Sequence, residues 1–191
     1  MARLWSHRPD WAEMLEQNKN WQAANPNPYV KLTDAPQAGM TPPGVLIFSC
    51  IDPRASPEEL LGLQGGEAFV VRNLGGRGAI GVKELVFLEH VTKGMALKEV
   101  IIMHHTDCGL THADGDKILA GMKAEYPARV DEISKLLTFP TYDGSSVEKH
   151  METIREDINF VKSLPYIRQE LKDNVKGYLF DIETGKLIPA Q

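Results

Sequence analysis

The chain has 191 residues, enough for one domain and at most a short arm. A composition of 42% hydrophobic and 25% charged residues is that of a globular protein and excludes a disordered or collagen-like chain. The 26 acidic and 21 basic residues give a net charge of −5, and the basic residues are scattered, which argues against nucleic acid or an anionic membrane as partner and favours a small molecule.

Residues Trp11 to Ala24 predict a helix, with Met14, Leu15 and Trp21 among charged neighbours, stopped by Asn25-Pro26-Asn27-Pro28. Val45-Leu46-Ile47-Phe48 follows a Pro- and Gly-rich stretch and reads as a short buried strand running straight into Cys50. A second strand, Ala68 to Arg72, ends in the turn Asn73-Leu74-Gly75-Gly76, and Val82, Leu85, Val86, Phe87 and Val91 predict a helix that Gly94 ends. Val100-Ile101-Ile102-Met103 is a third buried strand, running into His104 and His105. Helices are expected at Asp116 to Lys123, Ala128 to Leu137 and Val147 to Lys162, the last with Met151, Ile154, Ile158 and Val161 on one face. Val175 to Ile182 reads as a closing strand, followed by a turn and a short continuation at Leu187.

Strands that deliver side chains with chemistry at their C-terminal ends predict an α/β fold, a central, mainly parallel sheet flanked by helices with the site beyond the strand ends. The expected division is an N-terminal helical arm over 1–35 and an α/β domain over 36–191. No run approaches the ~18 apolar residues of a membrane helix. The first sixteen residues hold Arg3, Arg8, Asp10, Glu13 and Glu16 without an apolar stretch, so no secretory signal is expected. Cys50 and Cys108 are the only thiols, too few for a disulfide framework and natural in a reducing, cytoplasmic location.

Those thiols stand in two short segments, Cys50-Ile51-Asp52-Pro53-Arg54 and His105-Thr106-Asp107-Cys108-Gly109. Two thiolates and an imidazole form a ligand set for catalytic zinc, in which three protein ligands leave the fourth tetrahedral position open to water. The plain alternative is two buried apolar cysteines and a loop histidine. Arg54 is placed to grip Asp52 in a fork, which would aim the carboxylate at a zinc-bound water; the bland reading is a surface ion pair. Gly76-Arg77-Gly78-Ala79-Ile80-Gly81 also satisfies a dinucleotide-binding pattern, but Glu99 precedes the next strand where an acidic residue should close it, and a tight turn with close helix packing explains the glycines.

The combination of C-x-D-x-R after one buried strand and H-T-D-C-G after another resembles the β-class carbonic anhydrases, in their compact branch. Val71-Arg72-Asn73 with its glycines resembles the family's R-N turn, Trp11 to Trp21 its arm helix, and the helix ending at Leu164-Pro165 and the segment Val175 to Leu187 its closing elements. The resemblance implies one Zn²⁺ per chain held by Cys50, His105 and Cys108, with Asp52 and Arg54 as catalytic dyad and, alternatively, Asp52 itself bound to the metal in a resting form. It implies reversible hydration of CO₂ to bicarbonate, with hydrolysis of carbonyl sulfide or carbon disulfide as the rival reaction. Pro53 departs from the family's usual Ser or Ala and stiffens the turn after Asp52. His104 should point away from His105 by strand alternation.

A non-catalytic zinc module with Asp52 as fourth ligand and a thiol redox protein using Cys50 and Cys108 are the remaining rivals. Trp5, Trp11, Met14 and Trp21 are much apolar surface for an arm, and in the resembled family such an arm packs on a neighbouring subunit, which implies a homodimer or homotetramer.

Overall fold

The computed structural model describes residues 8–26, 29–140 and 142–190. It divides into two compact units, residues 1–41 and 42–191. The first contains α1, Trp11–Ala24, opened by a capping box in which the Asp10 side chain accepts from the Glu13 backbone N–H and the Glu13 side chain accepts from that of Asp10. Trp21 stacks on Tyr29 with ring centroids 6.3 Å apart. Trp5, Asn27 and Pro28 lie outside the described residues.

The second unit is built on a five-stranded sheet: β1 (Val45–Cys50), β2 (Phe69–Asn73), β3 (Glu99–His105), β4 (Val175–Phe180) and β5 (Leu187–Pro189), ordered β2-β1-β3-β4-β5. All pairings are parallel except the last, where the Asp181–Lys186 turn returns β5 antiparallel to β4. The helices are α2 (Pro57–Leu60), α3 (Val82–Val91), α4 (Gly115–Glu125), α5 (Val130–Leu136), α6 (Val147–Ser163) and α7 (Gln169–Asp173). Alternation along the strands sends Leu46, Phe48, Val100, Ile102 and Leu179 to one face, where they meet Leu85 of α3, Ile154 and Val161 of α6 and Leu171 of α7 in the main core. On the opposite face Val45, Ile47, Ile101, Met103 and Tyr178 line a groove of about 410 Å³ with Leu61, Leu63 and Leu187.

The expected α/β sheet is the one observed. Every expected strand and helix forms, with ends that coincide or differ by at most two residues; the one-turn helices α2 and α7 were not foreseen, because four or five residues carry too little periodicity. The sheet order matters to the site: β1 and β3 are neighbours in parallel register, Ser49 opposite Met103, so Cys50 and the His104-His105 pair leave the sheet side by side at the same end. The turn Leu74–Gly76 after β2 folds over that end. Gly76 sits at φ +70°, and a Cβ there would lie 2.8 Å from the Met103 carbonyl oxygen and 3.0 Å from the Cys50 amide nitrogen.

Candidate metal centre

Cys50, His105 and Cys108 converge, with one donor atom from each lying within 4.8 Å of the others, and all three residues are buried. The two sulfurs stand 3.8 Å apart and both thiols are free. Sulfurs held at about 2.3 Å by one tetrahedral ion would be separated by roughly 3.8 Å, so the spacing fits a metal clamp, whereas bonded sulfurs stand about 2.05 Å apart.

His105 supplies a second sign of the same fit. Its Nδ1–H donates to the Thr106 carbonyl at 2.8 Å, which leaves Nε2 as the bare lone pair. That Nε2 is buried without any hydrogen-bond partner, alone among the buried side-chain nitrogens and oxygens of the described residues. An unpaired buried acceptor costs on the order of 1–3 kcal/mol, and a metal ion removes the cost. The Cys108 S–H and His105 push the Cys50 thiol well down, and Cys50 in turn pushes Cys108 up. The pair holds one negative charge readily, and a cation is what admits the second.

Asp52 lies beside this cluster, Oδ2 3.9 Å from His105 Nε2. Arg54 grips it from three donors: Nε to Oδ1 at 3.0 Å, Nη2 to Oδ2 at 2.7 Å and its backbone N–H to Oδ1 at 2.9 Å. The guanidinium holds the Asp52 carboxyl below the ordinary carboxylate range, so Asp52 is an acceptor at neutral pH. The Pro53–Ala55 turn that Asp52 caps makes this grip local, with Pro53 in the position where a missing N–H does no harm.

The neighbours hold the pair in turn. Arg54 Nη1 donates to Asp107 Oδ2 and Nη2 to the Asp107 carbonyl, both at 2.8 Å. Asp107 reaches that position with φ +51°, a left-handed conformation that a residue with a side chain adopts at a cost of about 1–2 kcal/mol. Arg72 donates from Nε to the Cys50 carbonyl at 3.0 Å and from Nη2 to the Asp52 carbonyl at 2.6 Å, fixing the Cys-x-Asp backbone. The Asn73 side chain bonds both the N–H and the carbonyl of Arg77, closing the glycine turn. The glycine-rich segment is thus spent on backbone packing: at Gly81 a Cβ would meet the Phe48 ring at 2.3 Å. Above Cys50 and Asp52 opens an almost wholly apolar cleft of about 270 Å³, walled by Leu74, Gly75, Leu110, Ala113, Ile118 and Phe139.

His104 faces the other way, as alternation requires, into a buried chain of hydrogen bonds. Arg77 Nε and His104 Nε2 both donate to Asp157 Oδ2, at 2.7 and 3.1 Å. With its Nε2 protonated, His104 offers Nδ1 to the Tyr142 hydroxyl at 3.1 Å, and that oxygen accepts from His150 Nδ1–H at 2.8 Å. Burial pushes the His104 imidazole below its ordinary pKa, consistent with a neutral ring in this chain. Tyr142 packs against Cys50 and Cys108. Tyr142, His150 and Asp157 escaped sequence reading; the available signal was His150 and Asp157 interrupting the apolar face of α6 seven residues apart.

These features define an α/β protein whose mainly parallel sheet brings together two thiols and an imidazole that could hold one metal ion, with a gripped carboxylate alongside. The chain belongs to the carbonic anhydrase family, whose model matches residues 45–187. It is 27% identical over 150 residues to beta-carbonic anhydrase 1 of Mycobacterium tuberculosis, spanning 75% of this chain and 79% of that one. It is 24% identical over 156 residues to a carbon disulfide hydrolase of Acidianus, covering 74% of each. The solved carbonic anhydrase from Glaciozyma antarctica superposes with a TM-score of 0.76 at 28% identity, over 96% of this chain and all of the other.

Proposed function

We propose that the protein is a zinc enzyme that hydrates CO₂ to bicarbonate reversibly, with Cys50, His105 and Cys108 as ligands and Asp52 and Arg54 as the catalytic dyad. When bound, the metal would lower the pKa of a coordinated water toward ~7 and so make hydroxide available at neutral pH. The observation that supports catalysis over a closed structural site is the engagement of Asp52: both its oxygens are taken by Arg54, so the protein commits three donors and leaves one position free. Asp52, ionised and acceptor-only, orients a water by taking its hydrogen bond; Arg54 keeps that acceptor fixed and charged. The apolar cleft suits a small uncharged substrate and needs no cationic funnel.

The same apolar lining favours carbonyl sulfide or carbon disulfide as the second reading, since sulfur is larger and more polarisable than oxygen. Stopped-flow CO₂ hydration and sulfide release, measured on one zinc-loaded preparation, separate the two. Sulfide release with negligible hydration would overturn the first.

The arm supports self-association. Trp11, Met14, Leu15 and Trp21 of α1 are exposed, and we assign residues 1–35 to dimerisation, with a homotetramer as the larger form. Two free thiols and the absence, among the described residues, of a helix long and apolar enough to cross a membrane fit a cytoplasmic enzyme. Light scattering giving the 21.3 kDa mass of one chain would reject the dimer.

A further inference from the structure

The donor cluster has two sides. One opens on the apolar cleft, and the other is closed by Tyr142, a buried side chain with no part in the hydration chemistry. Tyr142 forms a small apolar cluster with Cys50 and Cys108, apart from the main core, with Leu110 at its margin. A tyrosine hydroxyl beside two thiols would ordinarily be free to turn its hydrogen toward sulfur.

Here the surroundings forbid it. Asp157 takes the hydrogen of His104 Nε2, so His104 Nδ1 is an acceptor and the Tyr142 O–H donates to it at 3.1 Å. His150 Nδ1–H donates to the same oxygen at 2.8 Å and holds the hydroxyl from a second direction. Both imidazoles also meet the phenol ring edge to face, each with centroids 5.3 Å from it. The backbone just beyond is seated as closely: a Cβ on Gly144 would lie 2.3 Å from Thr111 Cγ2 and 2.9 Å from His150 Cε1. Thr111 in turn bonds the Cys108 carbonyl through both its N–H, at 2.8 Å, and its hydroxyl, at 2.7 Å. The main-chain N–H groups of Asp52 and Leu110 face Cys50 and Cys108, and Tyr142 adds no donor to either sulfur.

We propose that Tyr142 is a positioning residue of the metal centre: its ring keeps water off the protein side of both sulfurs, and the clamp of His104 and His150 on its hydroxyl keeps its own O–H turned away from them. The inference rests on the reading of Cys50, His105 and Cys108 as metal ligands. A hydrogen bond donated to a thiolate draws off charge that the sulfur would otherwise give to a metal, and a dry surround withholds such bonds. A sulfur pair with few donors therefore grips an ion strongly. Water is left to approach from the cleft, where Asp52 stands. The buried chain from Arg77 through Asp157 to His150 acquires a use on this account, because it fixes the tautomer of His104 and with it the direction of one hydrogen.

The test uses the full-length chain as wild type, Tyr142→Phe and Tyr142→Ala, each loaded once with zinc and once with cobalt(II), whose sulfur-to-metal absorption reports on the sulfur donors directly. Tyr142→Ala opens the protein side of the cluster to water. Its cobalt band should move to shorter wavelength, and zinc should pass to a chelator about tenfold faster or more, within the roughly 10–100-fold cost of losing an outer partner of a ligand. Tyr142→Phe keeps the ring and adds no donor, so its band should stay at the wild-type position. Should Tyr142→Ala not fold, Tyr142→Leu, which fills part of the space, should show both changes in the same direction. A role in packing alone would lower the Tm of these small-residue variants and leave the band and the release rate where they are; that result overturns the proposal. A shift in Tyr142→Phe as large as in Tyr142→Ala also overturns it, since the ring would then count for nothing. None of these readouts needs turnover, so they stand apart from the choice of substrate. A wild-type chain that takes up neither ion overturns the metal reading, and this inference with it.

Discussion

His104 and His105 are adjacent on β3 and almost equally buried, yet they have opposite fates. His104 lies in a chain in which each nitrogen has a partner and each proton an assigned place, from Arg77 and Asp157 through Tyr142 to His150. His105 has one nitrogen pinned by a backbone carbonyl and the other left bare among two thiols. Burial is the same; satisfaction differs. A polar group that the fold has fully paired contributes to the fold, whereas one that the fold has oriented and left unpaired is prepared for something the polypeptide does not supply.

The contrast can be broken most severely at the bare ring. His105→Ala should reduce zinc affinity by more than ~100-fold, since even displaced outer partners of a ligand cost 10–100-fold, and elemental analysis should find the metal lost with hydration activity. Asp52→Asn comes next: zinc should remain at one per chain while turnover falls ~10²–10⁴-fold, the range of a positioned proton acceptor. If the metal is lost instead, Asp52 serves as a ligand and the site is a closed one.

Asp157→Ala acts on the paired side. It removes the carboxylate that Arg77 Nε and His104 Nε2 share, and removal of one partner from a buried ion pair costs about 3–5 kcal/mol, read as a lower denaturant midpoint with the zinc content of the folded fraction unchanged. The smallest effect concerns acid. The folded pKa of Asp52 is depressed, so its contribution to stability is complete above an ordinary value of about 4 and fades as pH falls through the lower folded value. Stability curves of wild type and Asp52→Asn should therefore keep a constant gap from neutrality down to about pH 5 and converge only below about 4.

Much of this was legible in the residues. A short apolar run such as Val45 to Phe48, bounded by Pro and Gly, reads as a buried strand, and neighbouring parallel strands that end in Cys50 and in His104-His105 place those side chains together at the C-terminal end of the sheet, so the candidate donors could be read from local pattern. Alternation also separated His104 from His105. What could not be read is which side chains from distant segments close around them. Asp157 lies 53 residues from His104, and Tyr142 comes from an irregular stretch between α5 and α6; their meeting depends on how α6 crosses the sheet, which periodicity does not specify. The same holds for Arg54: its fork on Asp52 is local and was expected, while its second grip on Asp107, across 53 residues, depends on β1 and β3 being neighbours.

Gly76 bears on how this site can change over generations. Its missing side chain lets the turn after β2 settle directly on the backbones of β1 and β3, and backbone atoms cannot yield to a new Cβ as side chains do. The turn that places Leu74 and Gly75 on one wall of the apolar cleft is therefore pinned to the sheet. The other wall, where Leu110, Ile118 and Phe139 present only side chains, is open to variation. If the cleft admits the substrate as proposed, a mutational library aimed at substrate range should begin at those three positions.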